Sequence, residues 1–224
     1  AMACQQCKTE QQSLHGFHCV MSSSSDNADR NQDGQSMKVT ACVLCAHEAT
    51  PSEIVIFKQK EDSVVDDPPE SYDQVMELIA EGILHESHHR IFQILEIFAN
   101  EYISDAKRQA VFVERDAISE TSYNEQISSI YSTAIAVMSH CCRLLDMVLP
   151  YIHPEKVIYA DKLAQLHVCS GQIDAASAAY TSAYQVSLKA NGQHSAISKA
   201  LLSLSSNTPT TRKELLNHYA ASTK

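Results

Sequence analysis

From about residue 72 onward, apolar residues recur at intervals of three and four. Val75, Leu78, Ile79 and Ile83 line one face, and Ile91, Ile94, Leu95, Phe98 and Tyr102 line the next. This period predicts amphipathic helices. A longer helix follows, with Ile127, Ile130, Tyr131, Ala134, Met138, Cys142, Leu145 and Leu149 on its apolar stripe. Pro150 ends it, because a prolyl ring cannot continue the hydrogen-bond ladder. The stretch HPEK (153–156) opens the next helix, with Pro154 in the first turn and Glu155 at the positive end of the dipole. Further helices are expected over about 155–169, 173–190, 194–205 and 209–221. Short connections between them predict a helical array or bundle over 72–224.

The first 58 residues follow a different pattern. The run SSSSDNADRNQDGQS (22–36) has almost nothing to bury and predicts a disordered insertion. MKVTAC (37–42) and SEIVIF (52–57) gather β-branched residues in the manner of short strands. The acidic stretch 59–71, which contains Pro68 and Pro69, predicts a linker. The expected organisation is thus a cysteine-rich segment over 1–58, the linker, and the helical domain over 72–224.

Composition narrows the function classes. The chain has 224 residues, with 27 acidic against 17 basic side chains and a net charge of −10, so it lacks the basic footprint of a nucleic-acid binder. No stretch approaches 18 uninterrupted apolar residues, and the first 30 lack the apolar core of a signal peptide. A soluble intracellular protein, cytoplasmic or nuclear and without a membrane partner, is expected. The opening Ala1-Met2-Ala3 looks like the remnant of a cleaved tag, and a fragment of a longer protein is expected.

Five of the eight cysteines crowd into residues 4–45. ACQQCK (3–8) and ACVLCA (41–46) each carry a Cys-x2-Cys turn, which presents two thiolates at the separation that tetrahedral zinc needs. Cys4, Cys7, Cys42 and Cys45 form the economical ligand set for one structural zinc. The ion would supply much of the folding free energy of so polar a segment. HGFHCV (15–20) leaves His18 and Cys19 as alternative ligands, beside a residue upstream of the chain. A Cys-x-x-Cys redox couple needs a strand-helix context that neither pair has. HESHHR (85–90) offers His85, His88 and His89, but no His-Glu-x-x-His pattern accompanies them, and a polar interhelical turn is expected. Cys141, Cys142 and Cys169 fall in helical apolar patterns and are expected in the core. No nucleophile elbow or glycine-rich loop supports a hydrolase.

ADKLAQLHVCSGQIDAASAAYTSAY (160–184) places Leu163 and Ala164 before Gly171, and Ala176, Tyr180 and Ala183 after it. This spacing resembles the tetratricopeptide repeat, in which small residues let two antiparallel helices approach and glycine makes the turn. The position where that repeat often carries proline holds Leu188. The longer block from VLPYIHPEK (148–156) through YQVSLKANGQHSAISKALLSL (184–204) resembles the C-terminal helical domain of SET and MYND domain proteins. In that family a zinc segment after the SET fold precedes the helices, and the order here is the same.

The resemblance implies a mainly α fold: a tetratricopeptide-like antiparallel helix array preceded by a small cysteine-rich zinc-binding segment with short strands. It implies a non-catalytic interaction module whose helical groove takes a protein or peptide partner. The acidic tail of the ninety-kilodalton heat-shock chaperone is the partner known in the family. Lys156, Lys162, Lys189 and Lys199 are the basic candidates for such a groove, while Asp161 and Gln165 stand where the family's clamp has asparagine and lysine. The alternative is the substrate-capping part of a protein-lysine methyltransferase. Neither the asparagine-histidine segment of the SET fold nor its glycine-rich loop occurs here. A catalytic domain using S-adenosylmethionine is therefore expected only upstream, in the parent protein.

Overall fold

The computed structural model describes residues 50–116 and 120–222, and nearer the N-terminus only the backbone of 2–3, 16–17, 19–21 and 37–39. Those four segments, β1 (Met2–Ala3), β2 (Gly16–Phe17), β3 (Cys19–Met21) and β4 (Met37–Val39), pair antiparallel as β1 with β2 and β3 with β4. The insertion at 22–36 lies outside the described residues, as does 40–42 of the first expected strand. Everything from Thr50 onward that is regular is helical, so the described part of the chain is mainly α.

The second expected strand is instead the start of a helix, α1 (Pro51–Asp66). Its N-terminus explains the difference. The Thr50 hydroxyl accepts from the Glu53 amide at 3.3 Å, and the Glu53 carboxylate accepts from the Thr50 amide at 2.7 Å. This reciprocal capping box, with Pro51 pre-set at the first helical position, outweighs the strand preference of Ile54, Val55 and Ile56. Only Phe57 and Val64 of α1 are buried, whereas Val55, Ile56 and Val65 stay exposed. Of the stretch 59–71 expected as linker, 59–66 belongs to α1 and only 67–71 connects to the next helix.

α2 (Tyr72–Ala80) starts where its cap directs, with the Ser71 hydroxyl accepting from the Gln74 amide at 3.3 Å. Val75 and Ile79 form its buried face. α3 (His89–Asp116) and α4 (Glu120–Val148) are the two long helices, and α4 stops ahead of Pro150. α5 (Pro154–Cys169), α6 (Ile173–Asn191), α7 (Ala196–Ser206) and α8 (Arg212–Ser222) follow, every end within three residues of the expected bounds. The contacts divide the chain into two compact units, 1–94 and 95–224, with the division falling inside α3.

In the second unit α4, α5, α6 and α7 pack in chain order, each on the next, and α8 returns onto α5. The α5–α6 contact is the most extensive. Its turn is built by Gly171 at φ +78°, with the Gly171 amide bonded to the Val168 carbonyl and the Gln172 amide reaching back to His167 at 2.8 Å. That left-handed position closes the helix end and satisfies its last carbonyls. Ala164, Ala176, Tyr180 and Ala183 of this hairpin are fully enclosed, in one core with the buried Val157, Val168, Leu201, Leu204 and Leu215. The buried hydroxyls of Ser187 and Ser198 satisfy one another at 2.8 Å across α6 and α7.

Candidate functional sites

The four cysteines expected to hold zinc, Cys4, Cys7, Cys42 and Cys45, lie outside the described residues, as do His18 and the side chain of Cys19. Cys141, Cys142 and Cys169, on α4 and α5, form no disulfide. Burial pushes the Cys141 and Cys142 thiols up to about 12, so neither is a nucleophile near neutral pH. Among the described residues, no helix is long and apolar enough to cross a membrane.

The second unit carries a groove of about 600 Å³ between α3, α5 and α8. Ile103, Ile158, Leu166, Leu215 and Leu216 supply its apolar lining, and Asn100, Asp161, Gln165 and Tyr219 its neutral and acidic polar lining. Lys107, Lys162 and Arg212 bring basic groups to it from three different helices. Of the four lysines picked from sequence, only Lys162 reaches this groove. Lys156 is buried with its ammonium 3.1 Å from an Asp146 carboxylate oxygen, and Lys189 lies over the Tyr151 ring at 4.3 Å.

Asp161 and Gln165 do not present free groups either. The Tyr219 hydroxyl donates to Asp161 Oδ1 at 2.5 Å, and Gln165 Nε2 donates to Asp161 Oδ2 at 3.0 Å and to the Tyr219 oxygen at 3.1 Å. The trio ties α8 to α5. Burial raises the Asp161 carboxyl above its ordinary range, although both hydrogen bonds favour the anion. Burial and the Asp161 charge raise the Tyr219 hydroxyl as well, which keeps it a donor. A carboxyl whose folded pKa is raised holds its proton more tightly when folded. Its contribution is full below the unfolded value of about 3.9 and is lost as pH rises through the folded value. Asp161→Asn, which cannot ionise, is therefore expected to melt close to the parent at pH 4 and above it at pH 7. Paired thermal melts across that window check this, and a gap that does not widen with pH would contradict the assigned cause.

In the first unit, HESHHR forms the expected turn between α2 and α3, but it has an acidic partner that sequence spacing did not reveal. Glu61 of α1 places Oε1 3.7 Å from His88 Nε2 and 3.8 Å from His89 Nε2. The three ligand atoms lie within 4.8 Å of one another, close enough to form a candidate metal-binding group. His88 is buried, and burial, reinforced by cationic neighbours including His89 and Arg90, pushes it down to about 3, so its ring is neutral. His88 Nδ1 accepts from the Arg90 amide at 3.2 Å. That bond leaves the ring proton on Nε2, towards Glu61. His85 is also buried, but its Nδ1 is engaged by Ser87, accepting from the amide at 3.1 Å with the hydroxyl at 2.7 Å.

Compared with known proteins, the chain matches no family model and no curated protein. Fold and sites alone define the class: a mainly helical protein with a groove of mixed apolar and basic lining and, in its other unit, a histidine-carboxylate group.

Proposed function

We propose that the chain is a protein–protein interaction module whose helical part is a tetratricopeptide-like array and whose N-terminal segment is held by a structural zinc on Cys4, Cys7, Cys42 and Cys45. The zinc rests on the cysteine spacing alone. The observation that carries the interaction reading is the groove beside the α5–α6 hairpin, where basic side chains from α3, α5 and α8 stand around an apolar lining. A flexible peptide with an acidic group and apolar neighbours would bury its side chains against Ile158, Leu215 and Leu216, with its carboxylates answered by Lys107, Lys162 and Arg212. The resemblance to the C-terminal region of SET and MYND proteins points the same way, with an acidic chaperone tail as one candidate of this chemistry.

The small residues at the hairpin support the repeat reading, since Ala164, Ala176 and Ala183 sit at the positions where the repeat brings its helices close. The test is direct. A fluorescein-labelled acidic peptide with a free C-terminal carboxylate is titrated with the full chain and read by anisotropy. Saturable binding is expected, weakened about tenfold, equivalent to about 1.4 kcal/mol, by the double charge reversal Lys107→Glu with Lys162→Glu. Binding that is absent, or indifferent to the reversal, would overturn the reading.

A further inference from the structure

We propose that Glu61, His88 and His89 bind a divalent transition-metal ion of the zinc, cobalt or nickel type, through ligands other than the cysteine set. Two imidazoles and one carboxylate make a mixed nitrogen-oxygen donor set, which suits these ions and not magnesium or calcium, whose ligands are all oxygen. The carboxylate comes from the second half of α1, and the rings come from the entry to α3, His88 immediately before the helix and His89 as its first residue. With separations of 3.7 and 3.8 Å from the shared Glu61 oxygen, a central ion would sit a few tenths of an ångström beyond the usual distance of about 2.0–2.1 Å. Small side-chain rotations close that gap. His88 is buried and fixed, whereas the side chains of His89 and Glu61 are 62% and 35% exposed, so water has access to the remaining coordination positions.

Two features of the surroundings shape the affinity. The N-terminus of α3 carries the positive end of the helix dipole and opposes a cation there. Glu61 supplies the negative charge that offsets it, so removing that charge is expected to cost more than removing one imidazole. Ligation through His88 Nε2 also moves the ring proton to Nδ1, which breaks the acceptance from the Arg90 amide. Metal binding therefore changes the environment of that amide, a signature that ions held elsewhere on the chain lack.

The experiment strips the full chain with a chelator and titrates it with Co²⁺. Cobalt on the cysteines gives a thiolate-to-metal charge-transfer band in the near ultraviolet. Cobalt on Glu61, His88 and His89 gives visible ligand-field bands without it. An equivalent of the second kind is expected, with affinity at least about tenfold weaker in His89→Asn and weaker still in Glu61→Gln, while the thiolate band stays unchanged. Both substituted side chains are partly exposed, so the fold survives their replacement; buried His88 is left intact for that reason. Zn²⁺ should in parallel shift the Arg90 amide resonance. The proposal falls if all cobalt absorbance follows the thiolate band, or if neither substitution changes the titration. Visible bands without any thiolate band would uphold it and overturn the cysteine-zinc reading instead.

Discussion

Replacing Tyr180 by alanine lowers the stability of the chain by about 3–5 kcal/mol, the range for deleting a fully buried aromatic ring. Tyr180 has no solvent exposure, and the core cluster it belongs to draws on three other helices: Val157, Ala164 and Val168 of α5, Leu201 and Leu204 of α7, and Leu215 of α8. The helices around it are tied by their own caps and turns, so they cannot collapse fully into the space left behind. The lost transfer energy and the cavity therefore add. With a whole domain stable by only about 5–15 kcal/mol, this one change removes a large share. Denaturant unfolding followed by circular dichroism measures it, with Tyr184→Ala as the comparison. Tyr184 is on the same helix but only packs against the edge of the cluster, so its loss is expected to be clearly smaller. Equal losses at the two positions would mean that Tyr180 is not the keystone of this core.

The helices that follow residue 72 were legible because their burial follows their spacing. Val75, Ile91, Leu95, Phe98, Tyr131, Ala134 and Met138 are buried at the three-and-four intervals that predicted them, and Pro150 stops α4. α1 departs from the expected strand because composition and burial part company there. Ile54, Val55 and Ile56 look like a strand, yet the helix is set by Thr50, Pro51 and Glu53 at its start, and much of its apolar content faces solvent. The capping box was present in the sequence as TPSE and outranks β-propensity, which depends on having a partner strand.

The sites were less legible than the helices, because their members meet only through the fold. Tyr219 reaches Asp161 and Gln165 across 58 and 54 positions of the chain, and Lys107 and Arg212 come to the groove on helices far from Lys162. No local spacing rule connects them. The same holds for Glu61, which meets His88 and His89 from another helix, whereas a His-Glu-x-x-His pattern connects only residues within one helical turn. Lys156 shows the converse: a lysine that reads as available is buried, its ammonium 3.1 Å from a carboxylate oxygen of the exposed Asp146.

Replacing Ala176 by leucine destabilises the chain by about 1–3 kcal/mol, by overfilling a contact that is already closed. Ala176 and Ala164 both have no exposure, and they lie on opposing sides of the most extensive helix contact in the second unit. Three more carbons at this position have no void to enter. They must push α6 away from α5 or force neighbouring side chains off their preferred rotamers, and the Gly171 turn allows little movement because its two backbone bonds hold the helix end closed. Ala178, on the same helix but exposed, provides the control; Ala178→Leu is expected to change stability by no more than about 0.5 kcal/mol. For a chain of this length each kcal/mol shifts the melting temperature by about 2–4 °C, so calorimetry separates the two variants readily. A leucine at 176 that leaves the melting temperature unchanged would remove the close approach on which the tetratricopeptide-like reading depends, and with it the reason to expect a groove of fixed shape between α3, α5 and α8.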